Sequence, residues 1–386
     1  MIFVENPLLI SFSDKNPSLL SSLREVFDSF EEVPELPHVW HYSALLSLLE
    51  EDDTIPVRMA SKWTPTVPAK VFAECGKVLA KLIGMESVPG ELRSRLGRIN
   101  VEQYGFLTLV WRYNSFGHHT DTGALCMYDI TSMMAHSCGA SGVWHFGGSD
   151  SFCLRARVAL RPGDEISISY LADEDLFKSI PIRREKTLGW LFSCACDRCS
   201  STHSVDYARG FRCPTCVIGS VYVSADDAVG ACDTCASLMD ESTLERYLEL
   251  EKLYAERVSW IDKNDPTDVK AVHKEALNLF SLHHWVLYVL ETTLVHSVTA
   301  VEEKIFLLNR RLVFLNRCFP MANYTTAWLL EELGDLYGCL DKWETAASFF
   351  EKGYWTLRVL CGSDHPFAET ALVKWDETSN KSISNR

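Results

Sequence analysis

Two pairs of cysteines in the middle of the chain have the spacing of a metal site. Cys213 and Cys216 are separated by two residues, and after fifteen intervening residues Cys232 and Cys235 repeat the same spacing. Each Cys-x2-Cys turn supplies two thiolates, and Zn2+ prefers four ligands in a tetrahedron. Because cysteine fills all four positions, the site leaves no place for a substrate. The sequence predicts a structural zinc site here, with four free thiols in a loop as the alternative.

A second group of cysteines lies just upstream and provides three thiol ligands. Its members have the pattern Cys194-x-Cys196-x2-Cys199. The fourth position of a zinc ion would be filled either by water, as in a catalytic site, or by a distant residue that closes the site. The spacing leaves both possibilities open. The candidate distant ligands are Cys138, His136, His203 and Cys153.

The use of cysteine along the chain also bears on the compartment. The 386 residues include 14 cysteines, none before Cys75. The first ten residues carry Glu5 and Pro7 and no basic segment, so no secretory signal is expected. The sequence has no run of about 18 apolar residues, so no membrane-spanning helix is expected. Thiols in a reducing compartment favour metal binding over disulfides. We therefore expect an intracellular protein, in the cytoplasm, the nucleus or both, that does not enter a membrane.

The charge balance excludes some partners. The net charge is −15, from 37 basic and 52 acidic side chains. Affinity for phosphate backbones rests on clustered Lys and Arg, so nucleic acid is not an expected partner. A zinc-dependent DNA-binding regulator is disfavoured for the same reason, although residues 194–235 alone could touch nucleic acid. An acidic protein suits a basic partner, such as a lysine-rich tail.

The hydrophobic pattern predicts a mixed α+β protein of two or three domains. Residues 17–110 have mainly helical spacing, while residues 152–158 and 166–170 alternate as strands, the first in a hairpin with 143–146. From Glu241 onward the chain reads as helices. These are expected at 241–262, 268–297, 301–318, 323–340 and 342–361.

The last two of these helices resemble a tetratricopeptide-type hairpin. Leu333-Gly334-x2-Tyr337 is followed by Ala346 and Phe350, and then by Gly362-x2-His365-Pro366. Small residues at such positions let paired helices approach closely. An ordinary helical hairpin is the alternative interpretation.

Several short motifs follow one another in an order that is informative as a whole. Taken singly, His136, Tyr170, Phe192 and Asn114 would each be ordinary structural residues. The motifs are Tyr113-Asn114-Ser115-Phe116, His136-Ser137-Cys138, Gly163-Asp164-Glu165-Ile166-Ser167-Ile168-Ser169-Tyr170, a helix with Arg183 and Arg184, and Phe192-x-Cys194-x-Cys196-x2-Cys199. This order resembles the SET-domain protein-lysine methyltransferases, and within them the SET-and-MYND subgroup with its helical tail.

The resemblance implies an enzyme that transfers a methyl group from S-adenosylmethionine to the ε-amine of a lysine in a histone or non-histone protein. Asn114, Ala135 and His136 would bind the cofactor, and Phe192 would stack on its adenine. Tyr170 would be the active-site tyrosine, also near the cofactor.

The resemblance also completes the second metal site. Cys138 would be the fourth ligand beside Cys194, Cys196 and Cys199, which would give the chain two structural zinc ions. Trp190 would stand in the active site where the family has a second tyrosine.

The chain departs from the family pattern in four respects. Ala135 replaces an asparagine, and Trp190 replaces a tyrosine, which affects the number of methyl groups transferred. No glycine precedes Gly76, although the family has a glycine-containing cofactor loop near the start of the fold. We therefore expect either that the start of the SET fold is missing from this chain or that this part of the cofactor site is missing. The MYND zinc module is also missing, because residues 10–74 hold no cysteine.

We therefore expect a SET-type β fold with a helical insert, a zinc-binding post-SET segment, a zinc-ribbon-like module and an all-α tail. A non-catalytic, zinc-stabilised interaction scaffold is the alternative function. The expected partners are a protein substrate with a lysine in a basic segment and a further protein on the helical tail. The expected segments are 1–16 (N-terminal SET strand), 17–105 (helical insert), 106–192 (core SET), 193–238 (post-SET and zinc-ribbon-like) and 239–386 (TPR-like).

Overall fold

The computed structural model describes residues 2–12, 15–50, 66–118, 120–121, 123–147, 150–200, 205–262 and 265–384. It confirms a mixed α+β protein with small sheets and a helical C-terminal region. The residues form two compact units. The first consists of Ile2–Met134 and His145–Leu154, and the second of Ala135–Trp144 and Arg155–Arg386. No helix in the described ranges is long and apolar enough to cross a membrane.

The first unit is mainly helical, and its helices bury the apolar faces that the sequence predicts. On the first helix, Leu19, Leu23 and Val26 are buried, and the Asn16 side chain caps the helix by accepting from the N–H of Leu19 at 3.1 Å. The elements are β1 (Ile2–Glu5), β2 (Leu9–Ser11), α1 (Pro17–Asp28), α2 (His38–Leu49), α3 (Ala69–Gly84), α4 (Gly90–Leu96), α5 (Val101–Asn114), β3 (Phe116–Gly117) and β4 (Leu125–Met127).

Short strands between residues 135 and 168 carry the motifs identified above, and the two strands of the hairpin have residues in both units. The predicted hairpin is confirmed, although Gly148 and Ser149 of its loop lie outside the described residues. The strand predicted at 166–170 is only two residues long, because the Ser169 hydroxyl bonds both the N–H and the carbonyl of Leu171 in a local turn. The elements are β5 (Ala135–His136), β6 (Gly142–Phe146), β7 (Phe152–Ala156), β8 (Ser167–Ile168), α6 (Asp173–Leu176) and α7 (Ile180–Thr187).

The remainder of the second unit combines a three-stranded antiparallel sheet with a series of helices. The sheet has the order β10-β9-β11. The elements are β9 (Arg209–Arg212), β10 (Ser220–Tyr222), α8 (Glu241–Trp260), α9 (Pro266–Ala276), β11 (Phe280–His284), α10 (Trp285–Ser297), α11 (Val301–Cys318), α12 (Tyr324–Cys339), α13 (Trp343–Leu360) and α14 (Pro366–Ser384).

The single helix predicted over 268–297 is wrong. The chain forms α9, then strand β11, and then α10. Phe280 pairs with Phe211 and His284 with Arg209, so β11 becomes an edge strand of the zinc-ribbon-like sheet. This pairing with a distant strand outweighs the local helical spacing, as tertiary context often does.

A buried ion pair attaches this sheet to the helices. The Arg209 guanidinium of β9 contacts the Glu251 carboxylate of α8 at 2.7 Å, and both side chains are almost fully buried. Trp285 Nε1 donates to Glu251 at 3.2 Å, and His284 Nε2 lies 3.4 Å from it. The sheet is therefore part of the hydrophobic core of the helical region rather than a separate module.

The pair α12 and α13 packs closely through a small residue, as the sequence predicts. A Cβ atom at Gly334 would lie 2.7–2.9 Å from three ring atoms of Phe350. At the far end of α13, the Arg155 guanidinium of β7 donates to the carbonyls of Val359 and Arg358. Gly362 follows with φ +96°, a conformation that favours glycine.

Candidate functional site

A parallel pairing of two short strands brings two motifs together. In β5 and β8, Ala135 pairs with Ser167 and His136 with Ile168. The Ser137 N–H continues the ladder to the carbonyl of Ile168 at 3.0 Å. This register places His136 next to Tyr170, two residues beyond Ile168. The imidazole Nδ1 accepts a hydrogen bond from the N–H of Tyr170 at 3.0 Å.

Four rings form a partly buried cluster around this contact, which we call the aromatic cluster: His136, Tyr170, Trp190 and Phe192. The ring centroid of His136 lies 5.3 Å from that of Tyr170 and 5.8 Å from that of Phe192. Tyr170 lies 5.9 Å from Trp190 and 6.2 Å from Phe192. These are ordinary distances for packed aromatic side chains.

A reversal of the chain after α7 places the last two of these rings. A 3-10 turn, Leu188–Trp190, follows α7, and Leu191 then adopts the left-handed conformation with φ +66°. This turn carries Trp190 and Phe192 to Tyr170. The Leu191 side chain itself is 66% exposed, so its role is in the backbone and not in the core.

Burial controls the ionisation of the tyrosine. Loss of solvent around Tyr170 raises the pKa of its phenol above the ordinary value. The hydroxyl therefore stays protonated at neutral pH and can donate a hydrogen bond. A protonated phenol surrounded by rings suits a group that orients a substrate and not a nucleophile.

The first metal cluster consists of Cys138, Cys194, Cys196 and Cys199. Their four sulfur atoms lie within 4.8 Å of one another. Cys138 Sγ is 3.8 Å from Cys194 Sγ and 3.6 Å from Cys199 Sγ. Four sulfurs at about 2.3 Å from a tetrahedral zinc would be about 3.8 Å apart, so the cluster has the size that zinc needs.

The structure therefore brings the predicted fourth ligand to the Cys-x-Cys-x2-Cys segment. Of the other candidates, His136 contacts the cluster from outside, with Nε2 3.3 Å from Cys138 Sγ. Cys153 belongs to the first unit, and His203 lies outside the described residues. A water-filled catalytic position is not needed to complete the set of ligands.

Helix α7 holds the first cluster in place. The Thr187 hydroxyl accepts from the N–H of Cys194 at 3.1 Å, and Arg184 donates to the carbonyl of Cys199 at 2.5 Å. Arg183, almost fully buried, donates to Cys199 Sγ at 3.7 Å. Arg198, within the cysteine motif, donates to the carbonyl of Cys138 at 2.8 Å.

These arginines are functional residues that sequence reasoning missed. Arg183 and Arg184 were recognised only as part of a helix, and Arg198 not at all. Three arginines within and just before a cysteine motif are a signal of charge compensation that could have been recognised.

The second metal cluster consists of Cys213, Cys216, Cys232 and Cys235. Its sulfurs also lie within 4.8 Å of one another, with Cys213 and Cys235, and likewise Cys216 and Cys232, 3.7 Å apart. This again matches a tetrahedral zinc site. Among the described residues, no further group of three or more His, Cys, Asp or Glu side chains has such an arrangement.

The backbone turns of the second cluster are those of two metal knuckles. Val217 and Ala236, each directly after the second cysteine of its pair, have positive φ values of 66° and 58°. Gly219 is required by space, because a Cβ there would lie 2.4 Å from Cys232 Sγ. The prediction of two four-cysteine groups able to hold zinc is confirmed at the level of the protein ligands.

Two further residues predicted to bind the cofactor, Asn114 and Ala135, do not belong to the aromatic cluster. Asn114 ends helix α5 in the first unit, where its side-chain amide donates to the carbonyl of Val110 at 3.0 Å. Ala135 lies in β5 and is exposed. Because its side chain is a methyl group, only its backbone can offer polar groups to a cofactor. The roles of both residues toward a cofactor stay predictions.

A scan against protein-family models gave no match to this chain, and a search of curated proteins found no similar sequence.

Proposed function

We propose that this chain is a SET-domain protein-lysine methyltransferase that uses S-adenosylmethionine. In this proposal residues 106–192 hold the SET core and residues 193–238 the post-SET and ribbon-like zinc segments, with a TPR-like tail after them. The single observation that supports it most is the β5–β8 pairing. It joins the His136-Ser137-Cys138 motif to Tyr170 and, through Cys138, to the cysteine motif that follows Phe192.

The proposed reaction requires little covalent chemistry from the protein. S-adenosylmethionine, when bound, supplies a sulfonium methyl group. The chain's own residues would position a neutral lysine amine, and good alignment contributes effective molarities of about 10⁵ M or more. The Tyr170 hydroxyl, protonated because burial raises its pKa, would hydrogen-bond near the reacting centre.

The rings beside Tyr170 would form the wall of a lysine channel. An aromatic wall attracts a cationic lysine by roughly 0.5–2 kcal/mol, and a desolvated channel lowers the amine pKa so that the lysine can lose its proton. Trp190, 5.9 Å from Tyr170, has no hydroxyl to hold a water or a methylated amine. We propose that this ring, through its size and its lack of a hydroxyl, affects how many methyl groups the enzyme adds.

Acidic side chains that closely follow Tyr170 in the sequence favour a basic substrate segment. Helix α6 begins three residues after Tyr170 with Asp173, Glu174 and Asp175 in its first turn. Glu174 is exposed, whereas Asp175 lies 2.7 Å from Lys178. Together with the net charge of −15, this supports a lysine in a basic stretch of protein as the substrate.

The test is calorimetric binding of S-adenosylmethionine to the full chain with both zinc sites loaded. We expect saturable binding, and radiolabelled methyl transfer to lysine-rich protein tails in the same preparation. A zinc-loaded, folded protein that shows no heat of binding at millimolar cofactor would contradict the enzyme assignment.

The exposed Ala135 favours a second candidate, a non-catalytic scaffold. Without the asparagine side chain at this position, a cofactor would lose a hydrogen bond of about 0.5–1.5 kcal/mol. In the scaffold function the zinc sites stabilise the fold, and the helical tail binds a partner. Substitution of Ala135 by Asn separates the two candidates. An enzyme should bind cofactor more tightly after the change, and a scaffold should remain unable to bind it.

A further inference from the structure

The two metal clusters differ in how far their sulfur ligands are shielded from solvent. In the first cluster Cys138, Cys194 and Cys199 are at most 2% exposed, and Cys196 is half-buried. In the second cluster Cys213 and Cys232 are buried, Cys216 is half-buried and Cys235 is exposed. Small oxidants and electrophiles therefore reach the second cluster more easily, through Cys235.

The clusters also differ in the charge that surrounds them. A zinc ion with four thiolates carries a net charge of −2. Around the first cluster, Arg183 donates directly to Cys199 Sγ, while Arg184 and Arg198 donate to carbonyls of the ligand residues. Because zinc would already hold all four sulfurs as thiolates, these cations withdraw negative charge from them and so lower their nucleophilicity.

The second cluster has only neutral donors. The Ser237 hydroxyl lies 3.0 Å from Cys235 Sγ and 3.4 Å from Cys213 Sγ. Backbone N–H groups of Gly219 and Thr234 reach the other two sulfurs. Across the residues that the structure describes, no lysine or arginine donates a hydrogen bond to these four sulfurs. Their thiolates therefore keep more of their negative charge.

We propose that the second cluster is an oxidisable zinc centre, which releases its metal to hydroperoxides while the first cluster retains its own. This inference does not depend on methyl transfer. For each pair of thiolates, one sulfur attacks the peroxide to give a sulfenic acid and hydroxide. The second sulfur then displaces hydroxide to form the disulfide. Two equivalents of hydroperoxide thus convert four thiolates into two disulfides and free one Zn2+.

The geometry allows disulfides between the two knuckles. Cys213 and Cys235 have their sulfurs 3.7 Å apart, and so do Cys216 and Cys232. Each of these pairs joins one knuckle to the other. The product would be a hairpin with two cross-links in place of the metal, and a dithiol reductant with Zn2+ would restore the starting state.

The backbone of the knuckles favours release once the metal–sulfur bonds are broken. Val217 is β-branched and has a φ of +66°, and Ala236 has a φ of +58°. Residues other than glycine rarely adopt the left-handed conformation, so both positions store strain that metal coordination would help to hold. Neither residue would need to stay strained after oxidation.

The experiment is a hydrogen peroxide titration of the full chain with two zinc ions bound, followed with a chromogenic zinc chelator. We expect one zinc per chain to leave on the order of tenfold faster than the other, as differences in thiolate access produce. Alkylation and peptide mapping should then show two disulfides among Cys213, Cys216, Cys232 and Cys235. Loss of both ions at one rate, or metal release with all four thiols still open to alkylation, would overturn the proposal.

Two variants test whether charge near the sulfurs, and not only their exposure to solvent, controls the rate of zinc release. Ser237→Lys places a cation beside Cys213 and Cys235 and should slow zinc release from the second cluster several-fold, with Ser237→Ala as the control without a charge. Arg183→Gln should make the first cluster release zinc faster. If Arg183→Gln does not fold, Ser237→Lys still decides the matter, since an unchanged release rate would show that charge does not protect the sulfurs.

Discussion

The Nδ1 atom of His136 accepts the backbone N–H of Tyr170 at 3.0 Å. The other ring nitrogen, Nε2, lies 3.3 Å from Cys138 Sγ. When Nδ1 accepts, the neutral ring carries its proton on Nε2, which then points at the sulfur. One imidazole thus joins the proposed catalytic tyrosine to a ligand of the first cluster, and fixes the direction of both.

This arrangement gives the first prediction. His136→Ala removes both contacts and should weaken cofactor binding about tenfold, the effect of roughly 1.4 kcal/mol. His136→Asn can still accept from Tyr170 and should recover most of the affinity. Calorimetry on both variants provides the measurement. Equal affinities in the two variants would mean that the Tyr170 hydrogen bond does not position the site.

A second prediction concerns the tyrosine hydroxyl. Tyr170→Phe should abolish methyl transfer, because no other hydroxyl in the aromatic cluster replaces it, while zinc content and cofactor affinity stay near those of the unchanged protein. Transfer assays with radiolabelled cofactor measure the loss. Substitution of Phe for the exposed Tyr207 is the matched control and should leave activity unchanged. Full activity of Tyr170→Phe would eliminate this residue as the catalytic one.

The fourth ligand of the first cluster can be tested by metal content. Cys138→Ser removes one of four sulfurs from a site whose members lie within 4.8 Å of one another, so elemental analysis should find one zinc per chain instead of two. The variant should also lose cofactor affinity, because His136 loses its partner. Cys339→Ser alters an exposed thiol outside both clusters and should retain two zinc ions. Two ions in Cys138→Ser would exclude this residue as an essential ligand.

A glycine test addresses the second cluster. Gly219→Ala would put a Cβ 2.4 Å from Cys232 Sγ and 2.7 Å from Thr234, so the knuckle must open and zinc should be lost. Gly230→Ala, in the same module, meets its nearest atom at an ordinary 3.7 Å and should keep the metal. Zinc content and thermal unfolding of the two variants provide the comparison. Equal zinc content in both would contradict the close packing around Cys232.

The buried ion pair between the sheet and the helices gives a prediction about stability. Burial alone would raise the pKa of Glu251, but His284 and Arg209 lower it to about 2. Because this is below the unfolded value of about 4.3, the stabilisation is present at neutral pH and is lost as the pH falls from about 4.3 toward 2.

Glu251→Gln should therefore lower the free energy of unfolding at pH 7 by about 3–5 kcal/mol, since it leaves Arg209 charged and buried. Glu275→Gln breaks the exposed pair with Arg257 and should cost at most about 1 kcal/mol. Chemical unfolding of both variants measures the difference. Similar losses in the two would mean that burial of the Arg209–Glu251 pair has no special weight.

Local patterns in the sequence were sufficient to predict the ligands of the second cluster. The spacing of Cys213, Cys216, Cys232 and Cys235 specifies a site whose ligands lie close together in the chain. The helices of the C-terminal region, such as Val301–Cys318, follow from apolar spacing alone. In contrast, Cys138 was one of several candidates by spacing, because 56 residues separate it from Cys194 and only tertiary folding brings the two together.

Prediction from the sequence was wrong or incomplete where long-range contacts decide the structure. Residues 280–284 have helix-compatible spacing, yet they form a strand because β9 offers a free edge. The roles of Arg183 and Arg198 were missed for a similar reason. Their partners are backbone carbonyls and a sulfur that meet only when the first cluster closes, so the arginines beside the cysteine motif indicate charge compensation but not these individual contacts.

The contact between Arg155 and the end of helix α13 has a consequence for synthesis on the ribosome. The guanidinium of this strand residue finds its acceptors, the carbonyls of Arg358 and Val359, only 203 and 204 residues later in the chain. The cysteines of both clusters emerge well before that point and can bind metal while translation continues. The Arg155 guanidinium, in contrast, must wait for the helical tail before it gains these acceptors. A nascent chain halted before Arg358 should therefore carry zinc while Arg155 still lacks them.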